Sequence, residues 1–491
     1  MKPFKTFLFT LCVLFLLGIL MAVFPKDGIK ITNNWTIKFP DIQSFFFTEK
    51  VEYADISGII NIGTFDLDSI FAGMATDSSG VDTIRVSADS LRTVVRKIEF
   101  GDSSKSALYP FFEKLCVNNG LIHVMHYGDS QIEGDRITGV FRNRLQATFG
   151  GNGIGVIPAV PIDNIAVSVE QESSDNWKRY TIFGKKDTTI KENHYGALGI
   201  YARFAPVWDN NKPNDSVVYE AWLKFKPSPI AYPSGKIYNQ IRIFYGYNQK
   251  PVMVEVYEGD ELKQFETMMS NSSLNVMRFS FESTPKELTL KFMGKDSPDI
   301  YGISFENPKG VAVDNIAMRG SAGLDFTRMD MSQQRQMYEL LNTKLLILQF
   351  GVNVVPNVVE DYSFYENWFY NQLAALKRVN PDMSIIVISV SDMAMKKDDY
   401  YESYPNIEKI RNAQRKAAFR ADCAFWDFYE AMGGKNSMPS WVFAEPPLAT
   451  YDFTHLNHNG ARIIGEMFFN SFILDDSQFL RKKKSGVENP T

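Results

Sequence analysis

After about residue 311 long helical patterns alternate with short apolar runs, and this rhythm constrains the chain more than any other feature. Helical patterns near 331–342, 362–379 and 405–420 separate the runs Lys344–Phe350, Ser384–Val390 and Ala424–Phe428. Short apolar strands joined by helices predict a parallel sheet covered on both faces. The same rhythm occurs once earlier. Leu121–Tyr127 is an apolar run that breaks at Gly128, and a helical stretch follows from Asp135 to Phe149. Its apolar residues Ile137, Val140, Phe141 and Leu145 are helically spaced, and Gly150-Gly151 stops it. A short helix is expected from Leu108 to Cys116, with Pro110 tolerated in its first turn.

Between these stretches, from about 160 to 310, the pattern changes. Lys236–Tyr245, Val252–Tyr257 and Glu287–Phe292 are short alternating runs separated by turn residues, as in an antiparallel β-sandwich. The expected fold class is therefore α/β, a three-layer parallel-sheet domain (101–159 and 311–478) interrupted by an all-β sandwich at 160–310. At 491 residues the chain has room for both. Residues 26–100 include Ser/Asp/Gly-rich stretches such as Asp77-Ser78-Ser79-Gly80 and read as a stalk or loosely structured region. Residues 479–491, with Arg481-Lys482-Lys483-Lys484, read as a solvated basic tail.

Residues 1–25 read as a targeting segment. Lys2 and Lys5 precede an uncharged apolar run from Phe7 to Phe24, closed by Pro25. A run of this length lies between a signal-peptide core and a membrane span. Met21-Ala22-Val23-Phe24 puts bulky residues where cleavage needs small ones, and Leu11 before Cys12 does not make a lipobox. An uncleaved anchor is expected, with a cleaved signal as the alternative. The lysines hold the N-terminus in the cytoplasm, so the bulk of the chain is exported to the periplasm or cell envelope. The formal net charge of −5 gives a nucleic-acid partner no support. Cys116 and Cys423 are expected as buried free thiols, although an exported chain could pair them. No CxxC or His/Cys cluster suggests a metal, and the chain calls for no cofactor.

Ser130, in Gly128-Asp129-Ser130, lies just beyond a predicted buried strand, at the carboxyl edge where open α/β sheets place ligands. A serine hydroxyl needs a base to become a nucleophile. His123 and His126 fall within the strand and read as structural, and His194 falls in the sandwich. That leaves Asp452-Phe453-Thr454-His455-Leu456-Asn457-His458. Asp452 and His455 are three apart, so one turn brings the carboxylate to one imidazole nitrogen and leaves the other for the serine. His458 is the rival base. Asn353, in Phe350-Gly351-Val352-Asn353, also follows a buried strand and can bring its amide to the same edge as an oxyanion donor. Backbone N–H groups of Ser130 and Gly320 would complete the set, with Gly323 as the alternative to Gly320.

Gly128-Asp129-Ser130, Gly320, Gly351-x-Asn353 and Asp452-x-x-His455 occur in that order. Together they resemble the SGNH (GDSL-like) hydrolases, named for their Ser, Gly, Asn and His. The resemblance covers about 121–155 and 311–472. It departs from the pattern at Val354, where Asp often follows the Asn. A second Gly101-Asp102-Ser103 follows a short charged stretch and reads as a loop. With a carbohydrate-binding-like sandwich inserted between the first two blocks, the chain looks like bacterial peptidoglycan O-acetylesterases and their O-acetyltransferase relatives. The resemblance implies an acetyl ester on a cell-wall or exported polysaccharide, attacked by Ser130 and then released to water or passed to a sugar hydroxyl. A non-catalytic glycan-binding scaffold, or a lipase or thioesterase, are the other readings. Trp177, Trp208 and Trp222 are expected to pack in the core, as are Met318, Met329 and Met331. Glu133 and Asp135 are expected to be solvated or capping, and Gly150-Gly151-Asn152-Gly153-Ile154-Gly155 to be a loop near the site.

Overall fold

An apolar run such as Lys344–Phe350 needs cover on both sides, which a parallel sheet between helix layers supplies, and the computed structural model places it in one. Residues 3–25, 28–32, 35–37, 39, 51–64, 96–102, 106–117, 120–161, 168–184, 193–208 and 216–484 are described. Asp77–Gly80, Ser103 and the tail beyond Lys484 lie outside them. The chain divides into two units at Glu52/Tyr53. The first holds helix α1 (Pro3–Val23), long and apolar enough to cross a membrane, and a hairpin of β1 (Ile29–Thr32) and β2 (Trp35–Ile37).

In the second unit β3 (Leu121–Gly128) opens the parallel sheet. A 3₁₀ segment (Ser130–Asp135) then leads into α4 (Arg136–Phe149), after α2 (Ser57–Thr64) and α3 (Tyr109–Cys116). The chain next builds a sandwich from β4 (Gly155–Ile157), β5 (Val169–Ser173), β6 (Lys178–Thr181), β7 (Ile200–Arg203) and β8 (Tyr219–Pro227). The strands β9 (Gln240–Asn248), β10 (Val252–Glu258), β11 (Glu261–Met268), β12 (Asn271–Ser280), β13 (Leu288–Gly294) and β14 (Asp299–Glu306) complete it. One sheet runs β11-β10-β13-β8-β5 and the other β12-β9-β14-β7-β6, with β4 on β14. Alternate residues such as Leu223, Phe225, Val254, Val256, Leu290 and Ile303 fill the space between them.

The chain returns to the parallel sheet as β15 (Gly310–Ala317). It continues through α5 (Met331–Leu341), β16 (Thr343–Gln349), α6 (Ser363–Val379), β17 (Ser384–Ile388), the hairpin β18 (Ala394–Lys397) and β19 (Tyr400–Ser403), and α7 (Ile407–Arg420). β20 (Ala424–Trp426), α8 (Phe428–Ala431), α9 (Ser437–Val442) and α10 (His458–Lys484) follow. The order is β15-β3-β16-β17-β20, all parallel. Strand residues alternate between two cores: Val124, Leu345, Ile347 and Ile386 meet α4 and α10, while Met125, Leu346, Leu348 and Val387 meet α6 and α7. This is the expected α/β sheet covered on both faces.

Several details differ from the sequence reading. β15 was not foreseen, because Asp314 and Asn315 interrupt its apolar run. Within the region expected as a stalk, Glu99 bridges antiparallel to Phe425, and Ile56 and Ile98 are buried on the α4/α10 side. Phe479, expected in the tail, is buried on α10, which runs to Lys484. Cys423 is a buried free thiol, but Cys116 is exposed at the end of α3. Met318 and Met329 are buried, whereas Met331 opens α5 and is exposed. Trp177 stacks edge-on against Phe204 and Phe292, and Lys250 lies over the Trp208 ring.

A buried charge cluster joins the sandwich to the sheet. His123 of β3 has Nδ1 2.8 Å from Asp314 of β15 and Nε2 3.3 Å from Glu306 of β14. Arg242 of β9 pairs with Glu306 through Nε. Burial alone would lower the His123 pKa, but the two carboxylates raise it to about 9. Burial likewise opposes ionisation of Glu306, and His123 and Arg242 overcome it, holding the carboxyl at about 2.

Candidate active site

Ser130 follows β3 and starts the 3₁₀ segment, so its side chain stands beyond the carboxyl ends of the strands. Asp129, just before it, is buried and works in two directions. Its Oδ1 accepts the Gln131 N–H at 3.0 Å and caps the segment, and its Oδ2 accepts the Gly351 N–H at 3.1 Å. Burial pushes the Asp129 carboxyl up to about 6, against the lowering effect of these N–H groups and of His455.

His455 arrives on the turn between Thr450 and α10. Asp452 shapes that turn: its Oδ1 accepts the Thr454 and His455 N–H groups, both at 3.0 Å, and the Thr450 hydroxyl at 2.6 Å. Its Oδ2 accepts His455 Nδ1–H at 2.6 Å. Burial would raise the Asp452 pKa, but these donors, led by the imidazole, hold it well below the usual carboxylate range. With Nδ1 donating, Nε2 is the acceptor for the Ser130 hydroxyl, 2.7 Å away. The three residues expected to act together thus form one hydrogen-bonded line. His458, the rival base, is exposed at the start of α10 and bonds to neither Ser130 nor Asp452.

The expected oxyanion donors surround the same edge. Met318 N–H donates to Gly128 O at 2.7 Å, which seats the turn Met318–Ser321 over the end of β3. Ser321 N–H closes that turn on Met318 O at 3.0 Å, and Gly320 occupies its third position with φ 78°, where glycine is favoured. The Gly320 N–H has no partner among the described residues. Gly323, the alternative, donates its N–H to Ser321 Oγ at 3.0 Å, and a Cβ there would lie 2.9 Å from Phe350 and Phe369. Gly323 is a packing residue, which leaves Gly320 as the available donor. Asn353 donates one Nδ2 hydrogen to Ser321 O at 2.9 Å, and the amide keeps a second hydrogen.

Other residues that tie the site together escaped the sequence reading. Gln131 Nε2 donates to Ser391 Oγ at 3.0 Å and to Thr454 O at 2.6 Å, joining the serine segment to the histidine turn. Arg136 joins the same two segments. Glu133 is buried and pairs with Arg319, the residue before Gly320. Asp135 pairs with Arg142 and makes no side-chain cap on α4. Neither acid is solvated or capping, because each meets an arginine that sequence distance hid. The glycine-rich loop is not near the site. Val311 N–H donates to Gly150 O at 3.0 Å at the amino end of β15, the opposite edge of the sheet from Ser130. His126 is buried with Nδ1 2.9 Å from Thr138 Oγ1 and Nε2 3.2 Å from Gln349 Oε1, and burial lowers its pKa to about 4. His194 stacks on Tyr247 at 4.4 Å within the sandwich.

No protein-family model matches the chain, and no curated protein does. Among solved structures, that of a peptidoglycan O-acetylesterase superposes with a TM-score of 0.59 at 19% identity, covering 77% of this chain and 98% of that one. A GDSL-like lipase from Parabacteroides merdae reaches a TM-score of 0.25 at 17% identity, over 33% of this chain and 74% of that one. An acetyl xylan esterase reaches 0.26 at 17% identity, over 32% and 80%. The first likeness is one of fold and spans both the parallel sheet and the sandwich; the other two are too partial to add to it. The resemblance to SGNH hydrolases first drawn from four short blocks therefore extends to the architecture that carries them.

Proposed function

We propose that the chain is a serine esterase of the SGNH type that removes O-acetyl groups from a cell-wall or exported polysaccharide. The observation that carries this reading is the line Ser130 Oγ–His455 Nε2–Asp452, at 2.7 and 2.6 Å, at the carboxyl edge of a parallel sheet. Ser130 Oγ attacks the acetyl carbonyl while His455 Nε2 takes its proton, and Asp452 stabilises the imidazolium. The oxyanion draws on the N–H groups of Ser130 and Gly320 and on the Asn353 amide. His455 then returns the proton to the departing sugar oxygen, leaving an acetyl ester on Ser130. A water deprotonated by His455 attacks that ester and releases acetate.

The substrate class is taken from the peptidoglycan O-acetylesterase whose fold the chain shares. The apolar helix Pro3–Val23 suits an exported or membrane-tethered enzyme working on such a glycan. The test uses the full chain in detergent. Turnover of p-nitrophenyl acetate with a transient acetyl adduct, both lost in Ser130→Ala, supports the mechanism, and acetate release from O-acetylated peptidoglycan supports the substrate. Acetyl appearing on an added sugar acceptor instead of as acetate would make the enzyme a transferase. A folded wild type that forms no adduct and matches Ser130→Ala would leave a binding scaffold.

A further inference from the structure

We propose that Arg136 is a positioning residue that sets the distance between Ser130 and His455. The inference rests on the reading of Ser130 as nucleophile. The guanidinium spreads its donors over three backbone carbonyls. Nε–H reaches Glu133 O at 2.9 Å, one terminal nitrogen reaches Leu456 O at 3.0 Å, and the other reaches Ser130 O. One of those carbonyls belongs to the nucleophile itself, and another to the residue directly after the base. Two segments 325 residues apart in sequence are thereby held by one rigid, planar group across the gap that the proton must cross.

The place of Arg136 in its helix argues that the clamp is its reason for being there. It is the first residue of α4, whose first turn contains no acid. A cation at a helix N-terminus opposes the macrodipole, and acids or small polar caps are favoured there instead. Asp135 does not compensate, since its side chain is turned to Arg142 and caps nothing. Helix stability thus disfavours the arginine, whereas the geometry of three divergent carbonyls suits it. A lysine carries its charge and its donors at one point and cannot span them.

The same two segments are joined a second time, by the Gln131 amide on Thr454 O at 2.6 Å. Loss of Arg136 therefore leaves the segments attached but free to shift against each other. The expected signature is a fall in kcat at nearly constant KM, because misplacement of a catalytic pair by about 1 Å costs on the order of 10²-fold in rate.

The experiment measures kcat, KM and melting temperature for wild type, Arg136→Ala, Arg136→Lys and Ser130→Ala, with p-nitrophenyl acetate as substrate. The proposal expects Arg136→Ala to lose roughly 10²-fold in kcat with KM within about threefold, and Arg136→Lys to recover little of it. Millimolar methylguanidinium should restore part of the Arg136→Ala rate and none of the Ser130→Ala rate. A kcat within about twofold of wild type in Arg136→Ala, beside an inactive Ser130→Ala, overturns the clamp and leaves the nucleophile standing. Activity retained in Ser130→Ala overturns the nucleophile reading, and the clamp with it. If Arg136→Ala does not fold, Arg136→Lys decides: a native melting temperature with kcat reduced supports the role, and kcat retained overturns it.

Discussion

Asp129 accepts the Gly351 N–H at 3.1 Å, so the residue before Ser130 grips the glycine two positions before Asn353. The segments of Ser130 and Asn353 are thus set against each other by a single buried carboxylate. If Asn353 serves the oxyanion, removing its amide should harm the transition state and spare the ground state. Asn353→Ala is expected to lower kcat for p-nitrophenyl acetate by about 10²–10³-fold with little change in KM. Equal losses in both parameters would instead indicate a collapsed site.

Gly320 and Gly323 should separate cleanly. Both have positive φ, at 78° and 77°, so alanine strains either backbone by about 1–2 kcal/mol. A Cβ at Gly320 meets no atom within 4 Å, whereas at Gly323 it meets two phenylalanine rings at 2.9 Å. Gly323→Ala should therefore cost about 1–3 kcal/mol more in stability, read by urea unfolding. Gly320→Ala should show its larger effect in kcat.

Burial pushes Asp129, Asp392 and Asp476 up to about 6, and burial together with neighbouring Asp476 pushes Asp475 to about 7. Raised carboxyls contribute their full stability below the ordinary value of 3.8 and lose it as pH climbs through 6 to 7. His123, raised to about 9, loses its contribution in the same direction, above 6.5. Asp452 and Glu306 are lowered, so theirs disappears as pH falls below about 4. The melting temperature should peak near pH ~4 and decline toward pH ~9. Asp475→Asn should flatten that decline between about pH 4 and 7. A melting temperature that rises over this interval would contradict the assignment.

Glu306 stands between His123 and Arg242 with no exposure to solvent. Glu306→Ala leaves Arg242 buried without its carboxylate and His123 with Asp314 alone, and about 3–5 kcal/mol of stability should go with it. Denaturant unfolding followed by tryptophan fluorescence checks this, and a loss under 1 kcal/mol would show that the cluster relaxes or admits water.

How much of this was written plainly in the sequence depended on distance along the chain. The strand–helix rhythm, the sandwich and the Asp452–His455 pair are local patterns, and a local reading placed them within a few residues. His455 is reached by elimination, because five histidines leave few candidate bases, and Ser130 by its place just beyond a buried strand. Partnerships across the fold had no such signal. Glu133 meets Arg319, 186 residues away, and His123 meets Asp314, 191 away, so residues that looked solvated or merely structural proved to be buried ion pairs. β15 was hidden for the same reason: Asp314 breaks its apolar pattern, and the carboxylate is explained by distant partners, His123 and the Val156 N–H. Arg136 did leave a trace, as a cation at the start of a helix that no helix rule would choose.

Strand β3 lies between β15 and β16, and both of these neighbours come after the sandwich in the chain. Strand β3 is thus made early and then waits through roughly 180 residues before it has an edge to pair with, a closure of high contact order. The sandwich has its own core and can fold in that interval. Ser130 is synthesised first, and Gly320, Asn353 and His455 reach it only later. A chain cut short before the turn that follows Thr450 therefore carries Ser130 without His455. Esterase activity would then report not only a folded sheet but a chain made at least as far as His455.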